Sequence, residues 1–162
     1  MNITLTQKER LLLEDQKSHE HVCIQKYTNY SKLASDQQLK DIFNNHAKIE
    51  QEHLNSINQL LSGQIPALNN QQGGGNSSQQ QQQSNNNVQA QSSGTNYQAS
   101  DKDLCTDVLM TEKYVSSEYN TAIFEFRDTQ IRDVLNHIQK EEQKHGEAIF
   151  KYMESKGMYS PK

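Results

Sequence analysis

Two glutamates and two Glu-x-x-His motifs are the residues of this sequence best suited to chemistry. Each glutamate precedes its motif by thirty residues, and the second copy follows the first at a shift of 92 positions. The two sets are Glu20 with Glu50 and His53, and Glu112 with Glu142 and His145. In four-helix bundles that bind two metal ions, such glutamates and motifs project inward and supply the ligands. The pattern therefore predicts a dinuclear metal site.

The repeat extends beyond these six residues. The same shift aligns further identical residues, namely Tyr27 with Tyr119, Asp36 with Asp128, Asp41 with Asp133, Asn44 with Asn136, Lys48 with Lys140 and Ile57 with Ile149. The two halves of the chain therefore follow one pattern.

The elements that position these residues are predicted to be two helical hairpins. Residues equidistant from the turn of an antiparallel hairpin lie at the same height. The midpoints of the two Glu–Glu pairs are positions 35 and 127, both at predicted turns. Pairing Glu14 with Glu50 instead would leave them about 10 Å out of step, and Glu118 with Glu142 about 7 Å. The geometry selects Glu20 and Glu112.

Helical periodicity covers both halves. We predict helices at about 6–34, 35–61, 101–126 and 128–156. A Ser-x-x-Gln capping box from Ser35 to Gln38 is expected to start the second helix. Asp128 is expected to cap the fourth, and Ser62 with Gly63 to end the second.

The segment between the hairpins has a different composition. Residues 64–101 are almost entirely Gln, Asn, Ser and Gly, and such a segment cannot bury enough apolar surface to offset its ordering entropy. We predict a first hairpin at 1–61, a disordered linker at 62–101 and a second hairpin at 102–162. A flexible linker of about 40 residues reaches near 35 Å, enough to cross the bundle. The predicted fold class is all-α, a ferritin-like four-helix bundle with a long crossover connection.

The candidate ligands lie within the apolar stripes that should face the core. Two divalent cations would balance their four carboxylates, and the imidazoles would bind as neutral ligands. Glu50 and Glu142 are expected to bridge the ions, with Glu20 and Glu112 as terminal ligands. Mixed carboxylate and imidazole ligation suits two iron or manganese ions. The alternative is a polar core layer held by hydrogen bonds and protonated carboxylates.

Other residues are weaker candidates. His46 is interpreted as a partly exposed structural histidine, with a role beside the metal ligands as the alternative. Tyr27 and Tyr119 are interpreted as core residues, although their hydroxyls would also suit a place near the metals. Cys23 and Cys105 are interpreted as reduced thiols that fill small core spaces. Three further histidines are also weak candidates, namely His19, His21 and His137.

Composition excludes several classes of function. The net charge is −4 with no basic stripe, so nucleic acid is not an expected partner. The longest apolar run is Leu11–Leu13, too short for a membrane span. The first residues lack the apolar stretch of a signal peptide, so synthesis in the cytoplasm is expected. The absence of a Cys-x-x-Cys pair argues against a rubredoxin-type iron site.

The C-terminal half resembles the spore coat protein F (Coat F) family over about 102–159. The marks of the resemblance are Tyr119-Asn120, Glu125, Asp128, Arg132, Glu141-Glu142, Phe150-x-x-Met153 and the closing Gly157-x-Tyr159. The N-terminal half resembles the first hairpin of ferritin-like proteins, and its stretch from Ser35 to His53 is also similar to rubrerythrin. The Coat F resemblance implies a spore coat location and other coat proteins as partners, with a homo-oligomer also allowed.

Two functions follow from these observations. One is a spore coat protein of ferritin-like fold that carries a dinuclear metal site with protective redox activity. The other is a di-iron or di-manganese oxidase or peroxidase, rubrerythrin-like or catalase-like, that is not confined to spores. The sequence leaves open whether the protein is an enzyme.

Overall fold

The structure, a computed structural model, describes residues 3–67 and 99–161. These residues form four helices and no strand. The helices are α1 (Gln7–Leu33), α2 (Gln37–Leu61), α3 (Asp101–Glu125) and α4 (Thr129–Ser155). α1 packs on α2 and α3 on α4, while α1 also packs on α3 and α2 on α4. The predicted all-α bundle of two helical hairpins is confirmed.

Most of the predicted helix ends are confirmed. Asp128 caps α4 by accepting hydrogen bonds from the N–H groups of Gln130 and Ile131. Ser62 is the C-cap of α2. Gly63 follows it with a φ of 85°, a left-handed conformation that glycine adopts without steric cost. Local chemistry thus sets where these helices begin and end.

The predicted capping box at Ser35 is wrong. The N-cap of α2 is Asp36, whose carboxylate accepts a hydrogen bond from the Gln38 N–H at 2.8 Å. The Ser35 N–H donates instead to the carboxylate of Asp101, at the start of α3. Both neighbouring residues have a side chain that suits a cap, and Asp36 is the one that caps the helix.

Side-chain contacts establish the helix directions. Lys8, near the start of α1, pairs with Glu125 at the end of α3, and Lys26 binds Asp107 near the start of α3 at 2.7 Å. α1 and α3 are therefore antiparallel. Because α1 and α2 form a hairpin, α2 ends at the opposite end of the bundle from the start of α3. The connection between them must cover that distance.

The structure describes both edges of the predicted linker. Ile65 and Ala99 pack against core clusters, and Asp101 is the first residue of α3, where the sequence predicts the third helix to begin. The rest of the predicted disordered linker, residues 68–98, lies outside the described residues.

The core consists of two apolar clusters with a polar layer between them. On α2, Phe43 belongs to one cluster and Ile57 to the other, and Glu50 lies between them in the sequence. In each of the other three helices a glutamate likewise lies between the residues of the two clusters. These glutamates are Glu20, Glu112 and Glu142. These glutamates are at most 3% exposed. The bundle therefore places its candidate ligands at half height, away from solvent.

Candidate metal centre

The structure brings all six predicted ligand residues together in the middle layer. Their ligand atoms form two groups, and the atoms of each group lie within 4.8 Å of one another. The groups are Glu20, Glu50, His53 and Glu142, and Glu50, Glu112, Glu142 and His145. Glu50 and Glu142 belong to both groups, which is the arrangement of bridging carboxylates. The layer could therefore hold two metal ions.

His53 faces the first group through its Nδ1 atom. This nitrogen lies 3.1 Å from Glu50 Oε2, 3.0 Å from Glu142 Oε1 and 3.6 Å from Glu20 Oε2. The three carboxylates come from three different helices, so the packing of both hairpins is needed to form this half of the centre. The Nδ1 atom is consequently the nitrogen available to an ion here.

His145 faces the second group in the same way. Its Nδ1 atom lies 2.9 Å from Glu50 Oε1 and 3.7 Å from both Glu112 Oε1 and Glu142 Oε2. Each histidine therefore serves one group, and each shared glutamate directs its two oxygens towards different histidines.

Several atoms of the layer are buried without a hydrogen bond of normal geometry. They are Glu20 Oε2, Glu112 Oε2, both carboxylate oxygens of Glu142, and His145 Nε2. A buried polar atom without a partner is costly, and such atoms cluster where an ion or another ligand completes the structure. The described Lys and Arg residues are all at least partly exposed, so none of them neutralises the layer from within. The donor set fits a pair of divalent cations.

The four carboxyl groups differ in the direction in which their pKa values are shifted. Burial raises the pKa of Glu20 to about 8, and it raises the pKa of Glu112, beside Glu142, well above its usual range. Burial would also raise the pKa of Glu50 and Glu142, but the imidazoles of His145 and His53 hold both below their usual range. The pKa values of the two shared glutamates and of the two unshared ones therefore shift in opposite directions.

The two histidines carry the balancing charge. Burial would lower the pKa of each, but the surrounding carboxylates raise that of His53 well above its ordinary value and that of His145 to about 9. The carboxylates thus favour the charged form of both imidazoles. Two divalent cations would take over that role, because they balance four carboxylates while the imidazoles bind as neutral ligands.

Tyr27 and Tyr119 are core residues, as interpreted, and also bind the candidate ligands. The Tyr27 hydroxyl donates to Glu112 Oε1, and the Tyr119 hydroxyl donates to Glu20 Oε1. Each tyrosine is at most 1% exposed. Burial, together with the adjacent carboxylate, raises the pKa of both phenols well above the usual value. They therefore act as donors that orient the glutamate of the opposite hairpin.

Glu141 is a residue of the centre that the metal-ligand spacing does not identify. Its Oε2 atom lies 3.1 Å from His53 Nε2, the ring nitrogen that points away from the carboxylate group. A carboxylate at this nitrogen fixes the ring orientation and raises the basicity of a metal-binding imidazole. The sequence did contain a signal, because Glu141 is one of the marks of the Coat F resemblance.

His46 is buried rather than partly exposed, so that interpretation is wrong. The ring stacks on His145 with centroids 4.1 Å apart, and only 5% of the residue is exposed. Burial, with His145 beside it, lowers the pKa of His46 to about 3, so the ring is neutral. The repeat could have indicated this, because His46 aligns with the core residue Ile138.

The remaining weak candidates stay outside the two groups. His19 contacts Tyr114 edge to face, His21 is exposed, and His137 lies 3.8 Å from Glu141. Cys23 and Cys105 are free, buried thiols within the apolar clusters, as interpreted.

A family comparison matches the second hairpin. Residues 100–162 fit the model of the Coat F domain, which confirms the resemblance over that part of the chain and points to a spore coat protein. The match includes Glu112, Glu142 and His145 but not the ligands of the first hairpin. A comparison with curated proteins finds no match. None of the described helices is long and apolar enough to cross a membrane.

Proposed function

We propose that the protein is a spore coat component whose ferritin-like bundle binds two iron or manganese ions and protects the spore through their redox chemistry. The coat assignment is supported by the Coat F match over residues 100–162. The metal assignment is supported by one observation above all: two overlapping groups of buried ligands share Glu50 and Glu142.

The residues have distinct roles in this proposal. Glu50 and Glu142 would be shared by the two ions, Glu20 and His53 would complete one position, and Glu112 and His145 would complete the other. Ions held there would supply redox chemistry towards dioxygen or hydrogen peroxide. The tyrosine hydroxyls orient the two terminal carboxylates, and the apolar clusters on either side exclude bulk water from the layer.

Metal loading tests the proposed centre. Wild-type protein incubated anaerobically with Fe(II) or Mn(II), then desalted, should retain two ions per chain by elemental analysis. Replacing both shared carboxylates (Glu50→Gln with Glu142→Gln) should remove both ions while helicity is kept. The matched control, Glu14→Gln with Glu118→Gln, removes two carboxylates of the same helical hairpins and should still bind two ions. Wild-type protein that retains no ion would reject the centre.

Fractionation tests the location. The protein should accumulate during sporulation and appear in the coat extract of purified spores. The alternative function, an oxidase or peroxidase not confined to spores, rests on the same centre but requires the protein in growing cells. Even distribution through growing cells, with none in coat extracts, would therefore favour the alternative.

A further inference from the structure

A pocket between α3 and α4 reaches the candidate metal centre from one side. Its volume is about 560 Å³, within the range of roughly 300–1,000 Å³ that small-molecule sites occupy. Leu109, Gly146, Phe150 and Tyr159 form its apolar walls. The size and lining suit a small organic molecule.

Gly146 is the reason that space exists here. A Cβ atom built on Gly146 would meet only Leu109 Cδ1 at 3.7 Å and Glu112 Cβ at 3.9 Å, which are ordinary contacts. Close helix packing therefore does not require glycine at this position. At the equivalent position of the first hairpin the residue is Leu54, whose side chain is buried. The pocket thus occupies a place that a leucine fills in the other half of the chain.

The inner end of the pocket is formed by candidate metal ligands. Glu112 and Glu142 both line it, and both carry buried oxygens that have no hydrogen-bond partner. Glu142 belongs to both groups of ligands, whereas Glu112 belongs only to the group that contains His145. A molecule in the pocket would therefore lie next to that one ion position.

The charges of the lining restrict the molecule further. Lys113 and Glu147 both line the pocket, so the charged side chains near its mouth balance each other. The layer behind the inner end has no net charge, because two divalent cations would balance its four carboxylates, so a charge on the bound molecule would gain nothing there. An uncharged molecule with an aromatic or alkyl skeleton fits these walls best.

We propose that this pocket is the binding site of a small, uncharged, largely apolar organic substrate and brings it to the His145 side of the centre. The inference rests on the proposed function, because it gives the metal centre its substrate class. It makes the two ion positions unequal: one is open to the pocket, and the other lies beside Leu54.

The test uses 4-fluorophenol as the probe and follows its ¹⁹F NMR signal. Full-length protein is loaded either with Mn(II), which is paramagnetic, or with Zn(II), which is not. Saturable binding is expected in both forms, and the bound probe should relax faster in the Mn(II) form because it lies next to the ion. Binding without that enhancement would place the probe away from the centre and overturn the proposal.

Two variants fill the pocket with the residues of the first hairpin. Gly146→Leu and Ser116→Ile each introduce the side chain found 92 positions earlier, and Ser116 also lines the pocket. Either should weaken probe binding about tenfold or more because its side chain occupies the same volume, while Mn(II) uptake stays at two ions. Lys140→Leu adds an apolar side chain to an exposed part of α4 outside the pocket and should bind the probe normally.

The possible failures are distinguishable. Two bound ions with no saturable probe binding, or with undiminished binding in both folded pocket variants, would reject the substrate site and leave the metal centre standing. A wild-type protein that takes up no Mn(II) would reject the proposed function, and with it the role of the pocket.

Discussion

In the first hairpin, Leu54 follows His53 and its side chain is buried, whereas in the second hairpin Gly146 follows His145 and a pocket opens beside it. The surroundings of the two histidines differ as well. His53 contacts Glu141, while the equivalent of Glu141 in the first hairpin is the apolar Ile49. The ligands, and the tyrosines that donate to Glu20 and Glu112, are repeated, but the neighbours of the two histidines are not. One half of the layer is therefore covered by packed side chains, whereas a pocket lies beside the other half.

Elsewhere the hairpins contact each other reciprocally. The carboxylate of Glu9, at the start of α1, accepts a hydrogen bond from the Arg127 N–H in the turn of the second hairpin. The carboxylate of Asp101, at the start of α3, accepts from the N–H groups of Ser35 and Asp36 in the turn of the first. Glu9 aligns with Asp101, and Ser35 with Arg127, at the same 92-residue shift. The contacts that join the hairpins are therefore repeated in both copies, unlike the surroundings of the two histidines.

The largest expected contrast in stability is between alanine substitutions at Leu54 and at Gly146. Leu54→Ala should lower the free energy of unfolding by about 2–5 kcal/mol because it leaves a cavity. Gly146→Ala should raise it by up to about 1 kcal/mol, since alanine is the better helix former and its Cβ meets no close contact. Urea denaturation of the two variants measures both. A similar loss in both would show that the two positions are equally packed.

Substitutions of the two reciprocal carboxylates, Glu9 and Asp101, should differ less in their effect on the free energy of unfolding. Glu9 is 3% exposed and accepts hydrogen bonds from Thr6 and Arg127 that bring its pKa down to about 2 against the effect of burial. Glu9→Gln should therefore cost up to about 3 kcal/mol at pH 7. Asp101→Asn, at a half-buried position, should cost less. Equal losses would show that burial does not separate the two copies of the contact.

The Glu9 contribution should also depend on pH. A carboxyl group whose pKa is lowered by folding stabilises the protein above its unfolded value, near 4.5, and loses this effect as the pH falls towards 2. The difference in unfolding free energy between wild type and Glu9→Gln should therefore be constant above about pH 5 and shrink below it. A difference that grows on acidification would contradict the assignment.

The last contrast concerns the two histidines, of which His53 contacts Glu141. Glu141→Gln should weaken the binding of one Mn(II) ion, the one at His53, by about 10–100-fold and leave the other unchanged. Calorimetric titration would show this as a shift in one of two binding steps. Glu154→Gln, which removes an exposed carboxylate from the same helix, is the control. Equal weakening of both ions would mean that Glu141 does not act through His53.

Much of the site could be predicted because it depends on positions along single helices. The equal distance of Glu20 and Glu50 from the turn at position 35 determines their common height. The apolar stripes then determine that both face inward. The same reasoning located α4 from the Asp128 cap. These features require only helix geometry and local hydrogen bonds.

The parts that could not be predicted depend on how the hairpins pack on each other. Glu141 lies on the flank of α4, and its contact with His53 on α2 follows from the rotation of one hairpin against the other. The turn at Ser35 and Asp36 is held by Asp101, which comes from a distant helix. The pocket results from a missing side chain at Gly146, and periodicity of the residues present does not reveal it.

The crossed bonds of Tyr27 to Glu112 and of Tyr119 to Glu20 have the form of an isologous interface, in which each partner offers the other the same contact. A single hairpin of this type would supply half a centre and could complete it by pairing with an identical copy. In such a symmetric pair, every substitution would appear on both sides at once. Joining the copies in one chain removes that constraint, so one face can open while its counterpart stays sealed.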